Sequence, residues 1–130
     1  MASRIAIIAC LLVLGVGATG IDSGEVTLAT DQRQYHPHDT AHLILFNGSE
    51  EDFSYSSLCW ATLERKEGDE WKSVACCGMG ACNRAVYTLP PGRKTTYSKP
   101  LNDAVTPGTY RFGIGGMVRY YTEPFEVSSR

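Results

Sequence analysis

The chain has 130 residues, of which 43% are hydrophobic and 20% charged, and its formal net charge is −2 at pH 7. This length allows one domain with one hydrophobic core. Nucleic acids and anionic membranes are bound largely through clustered basic side chains, and no such cluster is present, so neither is an expected partner.

The beginning of the chain has the pattern of an export signal. A single basic residue precedes an apolar run from Ile5 to Val16, and small residues follow. The run is shorter than the about 20 apolar residues that span a bilayer, so we expect residues 1–18 to be a signal peptide cleaved near residues 18–20. The mature domain is then expected at 24–128, in the periplasm or outside the cell, without a membrane span. Lipid attachment at Cys10 is the weaker interpretation, because only a short apolar stretch precedes it.

The mature region is predicted to consist of short strands separated by turns, with almost no helix. Runs of β-branched, aromatic and alternating residues lie between Gly, Pro and Asn-rich turns. We predict strands at Val26–Thr30, Ala41–Phe46, within Phe53–Glu64, and at Trp71–Val74, Ala85–Leu89, Thr95–Leu101, Tyr110–Ile114 and Val118–Val127. Seven or eight strands at a spacing of about ten residues are typical of an immunoglobulin-like sandwich, all-β and antiparallel.

Three of these strands carry finer predictions. Tyr110, Phe112 and Ile114 alternate with small or polar residues, so we expect them to face the core. The strand within 53–64 is predicted to include Cys59 and Trp60. In the final strand, Pro124 implies an edge position or a bulge, because proline has no N–H for the ladder.

Landmarks spread over nearly the whole mature chain are similar to those of the small secreted immunoglobulin-like domains of bacteria. They are Tyr35-x-Pro-x-Asp39, a strand ending in Asn47, Leu63-Glu64 before Gly68 and Trp71, Leu89-Pro-Pro-Gly92, Pro107-Gly108-Thr-Tyr110-Arg-Phe112, and Phe125-Glu-Val127. The resemblance implies the same fold, and the Pro-Gly-x-Tyr segment resembles a tyrosine corner, whose hydroxyl bonds to the preceding turn. His38 lies where such domains usually have glycine, and a left-handed backbone is less favourable for a residue that has a Cβ.

Four cysteines follow the predicted leader: Cys59, Cys76, Cys77 and Cys82. Export favours disulfides, and four cysteines allow three pairings. A bridge between adjacent cysteines is strained, so we expect Cys76 and Cys77 to have separate partners, one pairing with Cys82 and the other with Cys59. The alternatives are a soft metal site that adds Met79 to the last three cysteines, or a redox-active thiol pair. Neither has the Cys-x-x-Cys spacing typical of zinc ribbons or thiol enzymes.

The three histidines are close together in the sequence. In an extended segment His36, His38 and His42 would share a face, and with Asp39 they could bind copper or zinc. Pro37 and its turn weaken that geometry, and histidines on a solvated turn are the simpler interpretation.

Catalytic motifs are absent from the sequence: there is no Gly-x-Ser-x-Gly, no His-Glu-x-x-His and no phosphate-binding glycine loop. We therefore expect no enzyme activity and no cofactor. The leading hypothesis is an exported, non-catalytic binding or structural module of the cell envelope or extracellular space, with a protein or glycan partner. Met117, Arg119, Tyr120 and Tyr121 are the candidate contacts, because aromatic and Arg side chains near loop tips are typical binding anchors.

Three alternatives remain open. The two adjacent tyrosines could simply cover the sheet. The chain could be a periplasmic copper- or zinc-binding protein that uses its histidine and sulfur clusters. It could also be an immunoglobulin-like protease inhibitor, since its Pro-Pro-Gly and Pro-Gly-Thr-Tyr turns loosely resemble those of one bacterial inhibitor family.

Overall fold

The computed structural model describes residues 24–76 and 82–129. The predicted leader, including Cys10, and Cys77 lie outside the described residues. The strands are β1 (Val26–Thr30), β2 (Gln34–Tyr35), β3 (Thr40–Asn47), β4 (Phe53–Ser56), β5 (Thr62–Glu67), β6 (Glu70–Val74), β7 (Val86–Leu89), β8 (Lys94–Pro100), β9 (Gly108–Gly115), β10 (Arg119–Tyr121) and β11 (Phe125–Val127). One 3₁₀ helix spans Leu58–Trp60, and the described residues contain no α-helix.

The strands form two main sheets and a separate ribbon. The larger sheet has the order β2-β11-β9-β5-β6, with β10 also paired to β9, and the smaller has the order β1-β3-β8. Strands β4 and β7 pair only with each other among the described strands. Among the described strands, every pairing is antiparallel except that of β2 with β11, which is parallel. The predicted all-β sandwich is confirmed.

The core is made by alternate residues of facing strands. Tyr110, Phe112 and Ile114 of β9 are buried, as the alternation predicted. On β3, Ala41, Leu43 and Leu45 are fully buried in the same way. Successive side chains of a strand point to opposite faces, so one face of each strand supplies the core.

The segment predicted as one strand within 53–64 is interrupted. β4 and β5 are separated by the 3₁₀ helix, which holds both Cys59 and Trp60. The hydroxyl of Ser57 accepts a hydrogen bond from the Cys59 N–H at 3.1 Å and caps the helix. Placing these two residues in a strand was wrong, because a capping serine offered the backbone a local alternative to the ladder.

The predicted final strand, Val118–Val127, is divided into β10 and β11. Pro124 lies between the two, and each pairs with a different part of β9. Thr122 bridges the interruption: its N–H donates to the Phe112 carbonyl at 2.9 Å, and its hydroxyl accepts from the Phe112 N–H at 3.0 Å. The side chain therefore replaces the ladder bond that the interrupted strand lacks.

Two turns bear on the resemblance. His38 adopts a left-handed backbone, with φ of 73°, which is the conformation expected to be less favourable for a residue other than glycine. Its turn is closed by Asp39, whose N–H donates to the His36 carbonyl at 3.0 Å and whose carboxylate accepts from the His36 N–H at 2.8 Å. The tyrosine corner is also present, because the Tyr110 hydroxyl donates to the Thr106 carbonyl at 2.6 Å.

Candidate functional site

A groove of about 700 Å³ lies between β4, the 3₁₀ helix and the β9–β10 hairpin. Its described lining combines aromatic rings, serine hydroxyls and two guanidinium groups. The lining residues are Phe53, Ser54, Tyr55, Ser56, Ser57, Trp60, Arg84, Ile114, Gly115, Gly116, Val118, Arg119 and Tyr120. Concave sites of about 300–1,000 Å³ with aromatic walls and a few convergent polar groups are typical of ligand binding.

A continuous row of aromatic rings runs along the groove. Phe53 meets Tyr120 edge-to-face at 5.3 Å between ring centres, and it stacks against Tyr55 at 6.3 Å. Tyr55 in turn contacts Tyr87 of β7 at 5.7 Å. Rings at these separations attract one another, so each ring is held in place by its neighbours.

A second groove, of about 360 Å³, adjoins the first because both are lined by Tyr55 and Ser57. Its other described walls are supplied by Leu58, Cys59, Cys82, Asn83, Tyr87, Thr95, Thr96 and Tyr97. Asn83 connects the two grooves: its carbonyl accepts from the Trp60 indole N–H at 2.6 Å, and its side-chain amide donates to the Tyr87 hydroxyl at 3.1 Å.

Two of the four predicted contact residues line the larger groove, Arg119 and Tyr120. Arg119 is fixed by two hydrogen bonds, from Nη1 to the Gly115 carbonyl at 2.6 Å and from Nη2 to the Thr62 hydroxyl at 2.8 Å. Met117 is fully exposed at the tip of the β9–β10 hairpin.

The fourth predicted residue, Tyr121, lies on the larger sheet and is not among the described lining residues of either groove. The Arg111 guanidinium carbon is 3.6 Å from the centre of its ring and 4.4 Å from that of Trp71. Arg111 also pairs with Glu64, with 2.7 Å between Nε and Oε1. This stacking of the Arg111 guanidinium on both rings covers this face of the sheet.

A disulfide joins Cys59 to Cys82, with 5.5 Å between their Cα atoms. The predicted pairing of Cys82 with Cys76 or Cys77 was therefore wrong. The reason is the 3₁₀ helix, which brings Cys59 next to a residue 23 positions away. Cys76 is also disulfide-bonded. Sulfurs in disulfides are not the thiolates that bind metals or attack substrates, so these cysteines provide neither activity in this state.

Lys99 is a buried cation that no motif in the sequence indicates. Its side chain is fully buried, and its ammonium group donates to the Cys59 carbonyl at 2.8 Å. Burial lowers the pKa of Lys99, since removal from water disfavours the charged form. The contact fastens β8 to the 3₁₀ helix, which carries both the disulfide and the groove residue Trp60.

The histidines have separate partners. His36 Nδ1 lies 3.0 Å from the Ser128 carbonyl oxygen, and His38 Nε2 lies 2.9 Å from the Asp103 carboxylate. Within residues 24–76 and 82–129, no three His, Cys, Asp or Glu side chains are placed to hold a metal ion. The structure thus does not assemble the predicted three-histidine site.

The remaining histidine, His42, contacts Ser98, with 3.0 Å between Nδ1 and the hydroxyl oxygen. Both residues are exposed and lie opposite each other on β3 and β8. Neither is among the described lining residues of a groove. The contact is therefore one between cross-strand neighbours on an open sheet face.

The family model described as "Bacterial Ig-like domain" matches residues 22–114. The chain belongs to the bacterial Ig-like domain family. Members are generally non-catalytic structural or binding modules. No curated protein matches this bacterial Ig-like domain. Within the described part of the chain, no helix is long and apolar enough to cross a bilayer.

Solved structures with a similar fold include Spo0M, a sporulation control protein from Bacillus subtilis, at 12% identity and a TM-score of 0.46. The match covers 82% of this chain and 49% of Spo0M. Another is a β-glucosidase from Listeria innocua, solved with gluconolactone, at 14% identity and a TM-score of 0.41, covering 82% of this chain and 16% of the enzyme. This bacterial Ig-like domain thus spans at most about half of these proteins.

Proposed function

We propose that the chain is an exported binding module of the cell envelope or extracellular space, and that its ligand occupies the groove between β4 and the β9–β10 hairpin. The observation that carries this proposal is the groove itself, with its aromatic row and fixed arginine. Aromatic and Arg side chains in a concave site are the residues that most often dominate binding energy.

The walls of the groove are held in place before any ligand arrives. Arg119 is anchored at both Nη atoms, and Phe53 is packed between Tyr55 and Tyr120. On the opposite wall, the 3₁₀ helix is tied by the disulfide and by Lys99. A site whose side chains are already ordered loses less conformational entropy on binding.

The hairpin tip offers a second contact beside the groove. Met117 and Val118 are 103% and 67% exposed. Methionine is flexible and polarisable, so it adapts to differently shaped partners. Val118 also lines the groove, so a ligand bound there would lie next to this tip.

Export is supported by the disulfide, because such bonds persist in oxidising compartments and are rare in the cytosol. The test is expression of the full chain in a bacterium that has a periplasm. The cells are fractionated and the mass of the product is measured. The proposal requires a product shortened near residues 18–20 and recovered outside the cytosol. A full-length product with reduced cysteines in the cytosol would contradict it.

Binding is tested with two adjacent tyrosines that make a matched pair. Tyr120→Ala removes a ring of the groove, whereas Tyr121→Ala removes a ring of equal size outside it. Each purified variant is co-sedimented with isolated wall polysaccharide and with isolated envelope protein. We expect Tyr120→Ala to lose retention at least about tenfold, and Tyr121→Ala to keep it while unfolding at a lower temperature. Equal loss in both variants would disprove a role for the groove.

The two alternative functions, copper or zinc binding and protease inhibition, lack a supporting observation among the described residues. The described histidines are separated and the described cysteines are bonded, so metal handling has no assembled ligand set. Protease inhibition has no specific contact in its favour.

A further inference from the structure

We infer that the ligand of the groove is an acidic glycan, a chain of sugars that carries carboxylates. This inference rests on the proposed function and names the class of ligand that the site selects. Two properties of the described lining support it, its charge and its balance of rings and hydroxyls.

The charge of the groove is opposite to that of the protein. The chain as a whole carries a formal charge of −2, whereas the described lining includes Arg84 and Arg119 and no aspartate or glutamate. Arg119 is held by the protein, but Arg84 is exposed, and no described carboxylate forms an ion pair with it. A guanidinium group binds a carboxylate through two parallel hydrogen bonds, so Arg84 is suited to an anionic ligand.

The remaining lining favours a sugar over a peptide. A pyranose ring has a face of C–H groups that packs against aromatic rings, and an edge of hydroxyls that both donate and accept. Serine, threonine and tyrosine hydroxyls have the same dual capacity. The larger groove places Ser54, Ser56 and Ser57 beside its aromatic row. Acidic peptides are instead recognised mainly by clusters of arginines.

The second groove indicates a ligand longer than one sugar. It continues from Tyr55 with hydroxyl and amide side chains, and its described lining includes no charged residue. A glycan chain could therefore place a carboxylate at Arg84 and neutral, hydroxyl-bearing parts along Tyr87 and Tyr97.

The test compares three soluble probes of equal length: hexagalacturonate, neutral maltohexaose and hexaglutamate. Dissociation constants are measured by calorimetry for the full mature domain and for two charge reversals. Arg84→Glu lies in the groove. Arg93→Glu is the matched control, because Arg93 is also exposed but is not among the described lining residues.

We expect hexagalacturonate to bind most tightly, with an affinity that falls as salt is raised. Arg84→Glu should weaken this binding at least about tenfold, and Arg93→Glu by less than about twofold. The inference fails if hexagalacturonate does not bind, if either other probe binds as tightly, or if the two reversals have equal effects. If retention on an envelope fraction still depends on Tyr120, the chain is a binding module with a different ligand. If that dependence is absent as well, both the acidic glycan and the proposed binding function are refuted.

Discussion

The ring of Tyr121 lies over Gly113 so closely that a Cβ at position 113 would meet Tyr121 Cε1 at 2.8 Å. The same Cβ would approach Nη2 of Arg119 to 2.9 Å. Real Cβ atoms essentially never make such contacts, so both side chains would have to move. Both belong to β10, and their positions depend on β9 having no side chain at this point.

Gly113→Ala is therefore expected to destabilise the domain by about 1–3 kcal/mol, the usual cost of overpacking. The free energy of unfolding is measured in urea. Gly116→Ala is the control, because a Cβ there has nothing within 4 Å and the change should cost less than about 1 kcal/mol. Equal losses in the two variants would show that the close approach of Tyr121 has no energetic consequence.

The side chain of Asn47 is fully buried, and both of its ends are bonded. Nδ2 donates to the carbonyls of Glu51 and Leu89, each at 2.8 Å, and Oδ1 accepts from the N–H and hydroxyl of Ser49. Asn47→Asp would place a carboxylate oxygen against two carbonyls, so we expect a loss of about 2–4 kcal/mol in unfolding free energy. In Asn102→Asp the exposed oxygen keeps its bond to a backbone N–H, and stability should hardly change. Similar losses at both sites would argue against a special role for Asn47.

Disulfide connectivity is decided by two cleavages. Cyanogen bromide cuts after Met79, and trypsin then leaves Cys59, the adjacent Cys76 and Cys77, and Cys82 on three different peptides. The structure predicts a mass equal to the Cys59 and Cys82 peptides joined together, without the third. A species containing all three peptides would instead support the pairing expected from the sequence.

Removing that disulfide should weaken the fold substantially. Replacing Cys59 and Cys82 together by alanine opens a loop with a sequence separation of 23. The chain-entropy model gives a loss of about 3 kcal/mol, visible as a lower midpoint in thermal unfolding. A midpoint equal to that of the unmodified domain would mean that Lys99 and the core alone hold the 3₁₀ helix.

Stability at alkaline pH is expected to depend on Tyr35. Burial and the hydrogen bond that its hydroxyl donates to Asp31 raise the pKa of Tyr35 from 10.0 to about 12. A raised pKa means that folding favours the neutral phenol, so this stabilisation is complete below pH 10.0 and is lost as the pH rises toward about 12.

Tyr35→Phe should therefore be about 1 kcal/mol less stable than the unmodified domain at neutral pH. The difference should shrink at about pH 11, where the unmodified domain has already lost part of this stabilisation. Urea unfolding at both pH values measures this. A constant gap between Tyr35→Phe and the unmodified domain would contradict the assignment.

Much of the fold could be predicted because local patterns and long-range packing agree. The alternation of Tyr110, Phe112 and Ile114 is determined by one strand alone, and β9 is buried on that face. The hydrogen bonds of the turn around His38 and the bond from Tyr110 to the preceding turn also join residues close in the sequence. A short sequence pattern is therefore enough to indicate them.

Most of the failures arise where a deciding contact lies far away in the chain. The residues around Cys59 favour a strand. The Ser57 hydroxyl and the disulfide to the distant Cys82 instead hold Cys59 in a 3₁₀ helix. In β8 several polar residues alternate, and nothing local shows that Lys99 is the one turned inward. The groove joins Tyr55 to Tyr120, which are brought together only by tertiary packing, so the sequence indicated Tyr120 without its partners.

The parallel pairing of β2 with β11 has a mechanical consequence. The N–H of Glu126 donates to the Arg33 carbonyl at 2.9 Å, and the N–H of Ser128 donates to the Tyr35 carbonyl at 3.0 Å. If the domain were pulled from its two ends, these bonds would be loaded in shear and would have to break together. An antiparallel hairpin pulled apart at its open end yields one bond at a time. The contact thus favours resistance to tension along the axis that joins the ends.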